Sequence, residues 1–306
     1  MTKTDSVELD TQAFNNELMT VEFVNEEKFA IVYIHRAPAN AFSYELLKAV
    51  TKVFKRIEEV TSIRTVIFAS KIERFFSAGV DLEEFNRVEE SWLEYWKALR
   101  TMFITIYESR LNTISAINGF AIGLGCALAL GIGFENTAIF YVSTISLTFS
   151  RIASQDRYML KGRGTIGINP VNIGIPVPIW IMQRYIELVG QRVSEKLLTL
   201  GVSLKATEAK DIGLVDEIFD DENEMLEACK ALARAKHQIY EIAQVETTRL
   251  LRETFVKTFY SQEEEDMKRM AYFVQLPEIN QIVREKQKEI QSKKATKSTP
   301  GNPVDS

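Results

Sequence analysis

The sequence predicts a mostly α/β fold in which strand–strand–helix units follow one another as a spiral, with a helical subdomain towards the C-terminus. Two stretches carry the α/β part of this prediction, because each is an apolar run typical of a buried strand that passes through small residues into a helical pattern. They are Arg64–Ser70 leading into Phe76–Leu82, and Thr113–Ile117 leading into Asn118–Cys126. The third observation is the helical periodicity with charged faces from residue 222 to about residue 293.

The first elements of the chain are a predicted β-hairpin and a helix. Val21–Val24 and Phe29–Ile34 are apolar runs that flank the polar turn residues 25–28, which predicts two antiparallel strands. Residues 44–60 then carry apolar side chains at helical spacing, and Ser43 stands where an N-cap is expected. This segment is therefore predicted to be an amphipathic helix.

Further helices are predicted by the same spacing at 91–108, at 190–200 with Gly201 as its end, and at 206–212. Together the patterns divide the chain into four parts. These are a loose N-terminus at 1–18, a spiral core at 19–217, a helical C-terminal subdomain at 218–293, and a disordered tail at 294–306.

The composition limits the classes of function. The chain has 306 residues, a hydrophobic content of 46% and a net charge of −5, which argues against a general nucleic-acid binder or a binder of anionic membranes. No apolar run reaches a membrane-spanning length without polar interruption. Cys126 and Cys229 cannot form a disulfide framework, so a reducing compartment is expected. His35 and His237 are far apart in sequence and give no metal-binding pattern.

The two strand-to-helix turns suggest a chemical role. Turns of this kind can direct backbone N–H groups to one point, where they stabilise negative charge developing on a carbonyl oxygen. Their small residues, such as Gly79 and Gly123, let the backbone approach a ligand closely. The alternative is tight packing of strand on helix without any ligand.

The residues at these turns resemble the crotonase family, also called enoyl-CoA hydratase/isomerase, and within it the mitochondrial-type Δ3,Δ2-enoyl-CoA isomerases. The resemblance extends from about Val21 to Glu217 and more loosely to about Lys288. Other matching segments stand in the family's order and spacing: Arg36–Phe42, Tyr95–Ala98, Gly174–Trp180, Ala206–Ala209 and Gly213–Asp216. The resemblance implies a crotonase-like spiral of β-β-α units with an acyl-CoA as its small-molecule ligand. It also implies no separate cofactor, no bound metal, and C-terminal helices that cover the site and build a homotrimer or a dimer of trimers.

The resemblance also implies the mitochondrial matrix as the compartment. The N-terminal residues Asp5, Glu8 and Asp10 make a transit peptide a poor interpretation of the first 16 residues. The ending Pro303–Ser306 differs from the peroxisomal type of signal. No targeting signal is therefore recognised in the sequence, and the cytoplasm and the peroxisome remain alternative compartments.

The same resemblance assigns the site residues. The oxyanion donors would be the backbone N–H groups of Val80 and Leu124, where the family usually has glycine in place of the leucine. Leu124 keeps its donor if its φ is negative. The residues expected to bind the acyl-CoA are Ala78, Gly79, Val80, Asp81, Leu82 and Asn169. Ala78 and Leu82 would line the adenine end, Asp81 would brace the turn, and Asn169 would contact the acyl group. Asn40 is expected to brace the backbone beside them.

The catalytic base of the family is missing. Hydratases use two glutamates, of which the first would fall at Ala127, where isomerases of this type also lack it. The second, which the isomerases need, would fall at Pro170, and proline has no side chain that accepts a proton. Asn172 stands where dienoyl-CoA isomerases carry an aspartate. The resemblance therefore implies an enoyl-CoA isomerase of fatty-acid β-oxidation with a missing or relocated base, or else a catalytically silent acyl-CoA-binding or assembly subunit.

Residues 131–150 depart from the family pattern, which stops near Leu130 and resumes at Arg151. Three interpretations are open for this segment, which is rich in Ile, Phe, Tyr, Ser and Thr. It is a loop over the acyl pocket, an additional edge hairpin, or translated intron sequence.

Overall fold

The computed structural model describes residues 11–131 and 155–297. Three of the predicted segments therefore lie partly or mostly outside the described residues. These are the loose N-terminus up to residue 10, the atypical segment 131–150 from residue 132 on, and the disordered tail from residue 298 on.

The described residues form ten strands, numbered in chain order: β1 Met19–Val24, β2 Phe29–Ile34, β3 Thr65–Ser70, β4 Phe75–Ser77, β5 Asn112–Ile117, β6 Phe120–Ile122, β7 Gln155–Leu160, β8 Thr165–Gly167, β9 Leu204–Lys205 and β10 Glu217–Phe219. Six of them build a large sheet in the order β1-β2-β3-β5-β7-β10, and four build a small sheet in the order β4-β6-β8-β9. Both sheets are mainly parallel, with β1 antiparallel to β2 and β9 antiparallel to β8.

The same residues form ten α-helices: α1 Tyr44–Glu59, α2 Glu89–Tyr107, α3 Leu124–Gly131, α4 Ile179–Val189, α5 Gln191–Thr199, α6 Ala206–Asp211, α7 Glu222–Lys236, α8 Glu241–Ser261, α9 Glu263–Gln275 and α10 Pro277–Lys297. Two short 3-10 helices, Leu82–Asn86 and Pro170–Ile173, follow strands of the small sheet and matter for the site. No helix among the residues 11–131 and 155–297 is long and apolar enough to cross a membrane.

The chain repeats one unit as it moves along the large sheet. In the pairs β3–β4, β5–β6 and β7–β8 the first strand joins the large sheet and the second joins the small one. A helical segment follows each pair before the chain returns to the large sheet. This arrangement confirms the predicted α/β fold of strand–strand–helix units, and it stacks the ends of the short strands next to one another.

The hairpin and the first helix agree with their sequence patterns. Strands β1 and β2 pair in the register Met19↔Ile34 to Val24↔Phe29. The Ser43 Oγ accepts a hydrogen bond from the Leu46 N–H at 3.3 Å, as an N-cap does. Helix α1 then buries the apolar face that its spacing predicted.

Part of the segment predicted as loose has regular structure. Residues 11–14 form a 3-10 helix that ends in Phe14, and the Phe14 ring is buried. It packs edge-on against Phe23 with ring centroids 4.9 Å apart, and the Arg56 guanidinium lies 4.4 Å from its centroid. Burial of this one aromatic side chain fastens the residues ahead of β1 to the core.

Helices cover both faces of the large sheet. Strands β3 and β5 are buried at every residue, as parallel strands covered on both faces are, although β5 carries three polar side chains. On one face a small cluster brings buried side chains of α7 against the strands; it includes Ile31, Ile67, Ile114, Met225, Cys229 and Leu232. On the other face lies the main core, which extends to the small sheet and the remaining helices.

The C-terminal subdomain consists of helices α7 to α10, where the sequence predicted one long helical region. Asp221 caps α7 by accepting hydrogen bonds from the N–H groups of Asn223 and Glu224. The last helix continues to Lys297, so the segment predicted as a disordered tail begins inside it.

Candidate active site

The first turn of the site lies between β4 and the 3-10 helix Leu82–Asn86. Gly79 has a φ of +92°, a conformation that a residue with a side chain rarely adopts. Asp81 then caps the 3-10 helix, since its Oδ1 accepts the Glu83 N–H at 3.1 Å. The chain thereby turns sharply from strand to helix within the residues that the sequence assigned to ligand binding.

The N–H of Val80 stands apart from those of its neighbours. Three adjacent backbone donors are used internally: Ala78 N–H to the Ala39 oxygen at 2.9 Å, Gly79 N–H to the Ser77 Oγ at 3.1 Å, and Asp81 N–H to the Phe42 oxygen at 3.1 Å. The Val80 N–H donates to no described residue. It is therefore available to a ligand within the part of the chain that the structure describes.

The second turn has the same property. Gly123, with a φ of +54°, follows β6 and donates its N–H to the Gly167 oxygen of β8 at 2.8 Å. Leu124 is the first residue of α3, so its N–H lacks an acceptor within the helix, and it donates to no described residue. The φ of Leu124 is not positive, which satisfies the condition set for its donor. The Leu124 side chain is buried in the main core.

The two turns are in direct backbone contact. A Cβ placed on Gly79 would lie 2.6 Å from the Ile122 oxygen and 3.3 Å from the Leu124 nitrogen. One placed on Gly125 would lie 2.6 Å from the Ser77 oxygen. The sequence analysis predicted that these small residues let the backbone approach a ligand closely. In the structure they let the two turns approach each other. The unused N–H groups of Val80 and Leu124 thus belong to one small region.

The third part of the site is the 3-10 helix that begins at Pro170. The Oδ1 of Asn169, the residue before it, lies 3.4 Å from the position that a Cβ on Gly123 would take. Asn169 is therefore beside the second turn, as a residue that contacts a ligand there must be. The Pro170 carbonyl accepts the Ile175 N–H at 3.1 Å, and its ring carries no acceptor. Position 170 itself thus supplies no carboxylate.

Carboxylates near the first turn are already engaged. The Asp81 Oδ2 pairs with the Arg36 Nη2 at 2.6 Å, and Arg36 also donates to the Ala41 oxygen at 2.8 Å. Glu84 lies in the first turn of the 3-10 helix, where its buried side chain accepts the Tyr44 N–H at 3.1 Å and pairs with Arg87. Neither group is free to act as a base.

Three basic side chains that could meet a CoA phosphate, Arg36, Lys161 and Arg163, are paired with acids in the structure. Arg36 binds Asp81 as described above. Lys161 lies 2.8 Å from Asp220, and the Arg163 Nη1 lies 3.4 Å from Glu222. The pairs of Lys161 and Arg163 are exposed and therefore weak, so these pairs do not prevent the cations from meeting a phosphate.

Helix α10 lies against the outer side of two parts of the site. The Gln287 Nε2 donates to the Leu82 oxygen at 2.8 Å, next to the first turn. Ile279 and Ile282 pack over Gly174, at the end of the 3-10 helix that starts at Pro170. One helix of the C-terminal subdomain therefore contacts both the first turn and the segment that carries Asn169.

Both cysteine thiols are buried. Burial raises the pKa of both the Cys126 and the Cys229 thiol, so neither is a reactive thiolate. Cys126 lies in α3 and packs in the main core. Across residues 11–131 and 155–297 no group of three or more His, Cys, Asp or Glu side chains is placed to hold a metal ion.

Two supporting residues did not emerge from the sequence. The Ser77 Oγ accepts from Gly79 and donates to the Asn40 oxygen at 2.7 Å, while the Tyr95 hydroxyl donates to the Phe42 oxygen at 3.0 Å. Tyr95 is fully buried on helix α2. A tyrosine on the apolar face of a predicted helix is a usable signal, because a buried hydroxyl requires a partner.

Comparison with known proteins is consistent with this geometry. The profile of the family described as "Enoyl-CoA hydratase/isomerase" matches residues 25–141 and 153–285. The eleven residues between these ranges are left unmatched and fall within the part of the chain that the structure does not describe.

Individual relatives share the same breadth of match. The mitochondrial enoyl-CoA delta isomerase 1 of Rattus norvegicus is 29% identical over 262 residues, which cover 85% of this chain and 83% of the rat protein. A probable enoyl-CoA hydratase of Bacillus subtilis is 30% identical over 207 residues, or 67% of this chain and 70% of that protein. The crystal structure of human mitochondrial delta3-delta2-enoyl-CoA isomerase superposes with a TM-score of 0.81 at 24% identity, covering 91% of this chain and 100% of the human chain.

Proposed function

The chain belongs to the enoyl-CoA hydratase/isomerase family, as its motifs predicted, and we propose that it is a Δ3,Δ2-enoyl-CoA isomerase homologue that acts on unsaturated acyl-CoA in fatty-acid β-oxidation. In this proposal the thioester oxygen binds between the N–H groups of Val80 and Leu124. Ala78, Gly79, Asp81 and Leu82 contact the CoA portion, with no further cofactor. Asn169 contacts the acyl group.

The proposal rests on one observation: the N–H groups of Val80 and Leu124, on two turns that touch each other, donate to no described residue. In the proposed reaction a base removes a proton from C2, and the electron pair shifts to form a thioester enolate. The two N–H donors stabilise the negative oxygen of that enolate. The proton returns at C4 as the double bond moves from C3–C4 to C2–C3, so the reaction needs no other reactant.

The identity of the base decides between this function and its alternative. Pro170 cannot accept a proton, and the carboxylates of Asp81 and Glu84 are held by Arg36, Arg87 and a backbone N–H. These observations favour a second candidate, a catalytically silent acyl-CoA-binding or assembly subunit. Glu135, a carboxylate of the atypical segment 131–150, lies outside the described residues.

The direct test is an assay of the purified chain with a medium-chain 3-enoyl-CoA, paired with a binding measurement on the same acyl-CoA. The isomerase proposal expects both binding and conversion to the 2-enoyl product. Binding without conversion above background supports the silent subunit. A chain that binds no acyl-CoA contradicts the isomerase and the acyl-CoA-binding subunit, and leaves only the assembly subunit.

The Pro170→Glu variant tests whether the missing carboxylate is the limiting group. A positioned general base typically contributes about 10²–10⁴-fold to rate, so P170E is expected to gain activity in that range over P170Q. P170Q is the matched control, because glutamine has the same length as glutamate and cannot accept the proton. Equal rates for the two variants would show that a carboxylate at this position does not complete the site.

We also propose that the chain assembles as a homotrimer or a dimer of trimers in the mitochondrial matrix. Exposed apolar side chains on helix α8, Ile242, Leu250 and Leu251, support an association through the C-terminal subdomain. Light scattering should give a mass of three or six times the 34.9 kDa of one chain. Fluorescence imaging of the tagged full-length chain tests the compartment, and a signal in cytoplasm or peroxisomes would contradict the matrix.

A further inference from the structure

We infer that Asn40 is a positioning residue whose hydrogen bonds set the direction of the Val80 N–H. The inference rests on the proposed function, since the direction matters only if that N–H meets a thioester oxygen. Asn40 itself is fully buried and touches no ligand in this proposal. It acts on the reaction through the turn that it holds.

The Asn40 side chain joins three separate strand ends. Its Nδ2 donates to the Ser70 Oγ at 2.8 Å, to the Phe76 oxygen at 3.1 Å and to the Ile34 oxygen at 3.3 Å. Ile34 and Ser70 end strands β2 and β3, and Phe76 lies in β4, which leads into the first turn. One amide group therefore sets how the first turn sits relative to the large sheet.

The Asn40 backbone continues this connection towards Val80. Its carbonyl oxygen accepts the Ser77 hydroxyl at 2.7 Å, and the same Ser77 oxygen accepts the Gly79 N–H at 3.1 Å. Asn40 has a φ of +51°, in the left-handed region that asparagine tolerates better than most residues with a side chain. The left-handed backbone conformation of Asn40 and its side-chain hydrogen bonds therefore occur in the same bend of the chain.

The decisive contact is on the peptide unit between Gly79 and Val80. The Gly79 oxygen accepts the Phe42 N–H at 2.7 Å, two residues after Asn40. In a planar trans peptide the C=O and the N–H point in opposite directions. Because the Gly79 carbonyl is held towards Phe42, the Val80 N–H of the same unit must point away from residues 39–42. A shift of those residues would rotate the donor.

Other contacts hold the same segment from its far side. The Tyr95 hydroxyl donates to the Phe42 oxygen, which also accepts the Asp81 N–H. Arg36 connects the Ala41 oxygen to the Asp81 carboxylate. Unlike Tyr95 and Arg36, Asn40 donates hydrogen bonds to strands β2 and β3. Loss of its side chain therefore leaves residues 39–42 attached to the first turn but no longer aligned with the large sheet.

The test uses the full-length chain and the Asn40→Gly variant. Glycine keeps the positive φ at no steric cost and removes the three side-chain hydrogen bonds. The main probe is a 3-ketoacyl-CoA, which ionises to an enolate with its own near-ultraviolet absorbance. The pH at which the bound ligand ionises reports how well the oxyanion is stabilised. A second probe, an S-alkyl-CoA thioether without the carbonyl, reports binding of the remainder of the ligand.

We expect N40G to weaken binding of the enolate by about tenfold or more, because small misplacements of a catalytic group cost up to about 10²-fold. The thioether should bind within about twofold of the unsubstituted chain, the range of a substitution that leaves a site intact. Ser77→Ala, which removes the hydroxyl between Asn40 and Gly79, should show the same split and serves if N40G does not fold.

Asn112→Ala is the matched control. Asn112 is also a buried asparagine whose Nδ2 donates to a backbone oxygen, that of Arg64 at 3.3 Å, but it lies at the start of β5, away from the turns. N112A should leave the ionisation of the bound 3-ketoacyl-CoA unchanged.

The inference is overturned if N40G and S77A keep the enolate absorbance of the unsubstituted chain. It is equally overturned if they weaken both probes to the same degree, since that marks a structural role only. If the unsubstituted chain binds neither probe, the proposed function fails and takes this inference with it. If the unsubstituted chain binds both probes and N40G binds them equally well, only the positioning role of Asn40 is overturned.

Discussion

The Asp266 carboxylate accepts a hydrogen bond from the Arg100 Nη1 at 2.8 Å, and both side chains are almost completely buried. The same carboxylate oxygen also accepts the indole N–H groups of Trp96 at 2.9 Å and Trp180 at 3.4 Å. The Arg100 guanidinium lies 4.2 Å from the centroid of the Phe259 ring. One charge on helix α9 thereby ties the C-terminal subdomain to helices α2 and α4 of the core.

Replacing this charge should be costly. Asp266→Asn leaves the Arg100 cation buried without a counter-charge, so the free energy of unfolding is expected to fall by about 3–5 kcal/mol. Urea denaturation measures the loss. The control on the same helix is Glu264→Gln, which removes an exposed pair with Lys268 and should change the free energy by less than about 1 kcal/mol. If D266N and E264Q lost similar free energies of unfolding, the buried pair would stabilise the fold no more than the exposed pair does.

Gly79→Ala is predicted to damage the site as well as the fold. The added Cβ would lie 2.6 Å from the Ile122 oxygen, so one of the two turns must move. Loss of acyl-CoA binding, measured by titration calorimetry, is expected together with a lower unfolding temperature.

Gly162→Ala separates strain from contact in that experiment. Gly162 also has a positive φ, +70°, but a Cβ placed there meets no atom within 4 Å. It should therefore show only the cost of a left-handed residue, about 1–2 kcal/mol, with unchanged acyl-CoA binding. If G162A lost binding too, the close approach of the turns would not be the cause.

Leu124→Ala should distinguish the role of the Leu124 N–H from the role of the Leu124 side chain. The variant keeps the backbone N–H, so acyl-CoA binding is expected to persist or to extend to bulkier acyl groups. The lost packing of a buried leucine should lower the free energy of unfolding by about 2–5 kcal/mol. Chemical denaturation and a binding series with acyl groups of increasing size provide the two measurements. If L124A folds and no longer binds acyl-CoA, the Leu124 side chain, and not only its N–H, is required for binding.

The stability of the chain should depend on pH through His237. Burial, followed by the nearby charges of Arg64 and Lys28, lowers the pKa of His237 from 6.5 to about 4. Below pH 6.5 the unfolded chain takes up a proton that the folded chain does not, so this contribution to stability is present above pH 6.5 and is lost as the pH falls towards 4. Denaturation of the chain and of His237→Gln at several pH values tests this.

The comparison must be a difference between the two chains because Asp156 works in the opposite direction. Burial raises the pKa of Asp156 from 3.8 to about 6, so its contribution falls as the pH rises through that window. H237Q should be at its greatest disadvantage at neutral pH and lose part of that disadvantage in acid. Parallel curves for the two chains would contradict the assignment to His237.

Local chemistry made much of the fold predictable from the sequence. The spacing of apolar residues in α1 and the hydroxyl of Ser43 determine a helix within sixteen residues, with no help from distant parts of the chain. The hairpin of β1 and β2 is equally local. The two strand-to-helix turns were also visible, because each has a glycine, Gly79 or Gly123, where the backbone takes a positive φ.

Long-range pairing was not visible in the same way. Nothing in the pattern around Glu84 indicated that its carboxylate would meet the Tyr44 N–H, forty residues away in sequence. The bond from Gln287 to Leu82 depends on how helix α10 closes over the core, which no local propensity encodes. The resemblance proposed Val80 and Leu124 as donors and Asn40 as a brace of the backbone, while the hydrogen-bond partners of Asn40 required three-dimensional structure.

The separation of 205 positions between Leu82 and Gln287 has a consequence for biosynthesis. At about 5–20 residues per second, a ribosome needs on the order of 10–40 s to add the polypeptide between these partners. A nascent chain can therefore assemble both glycine turns well before its final helix emerges from the exit tunnel. During that interval the outer side of the turns is not yet covered by helix α10.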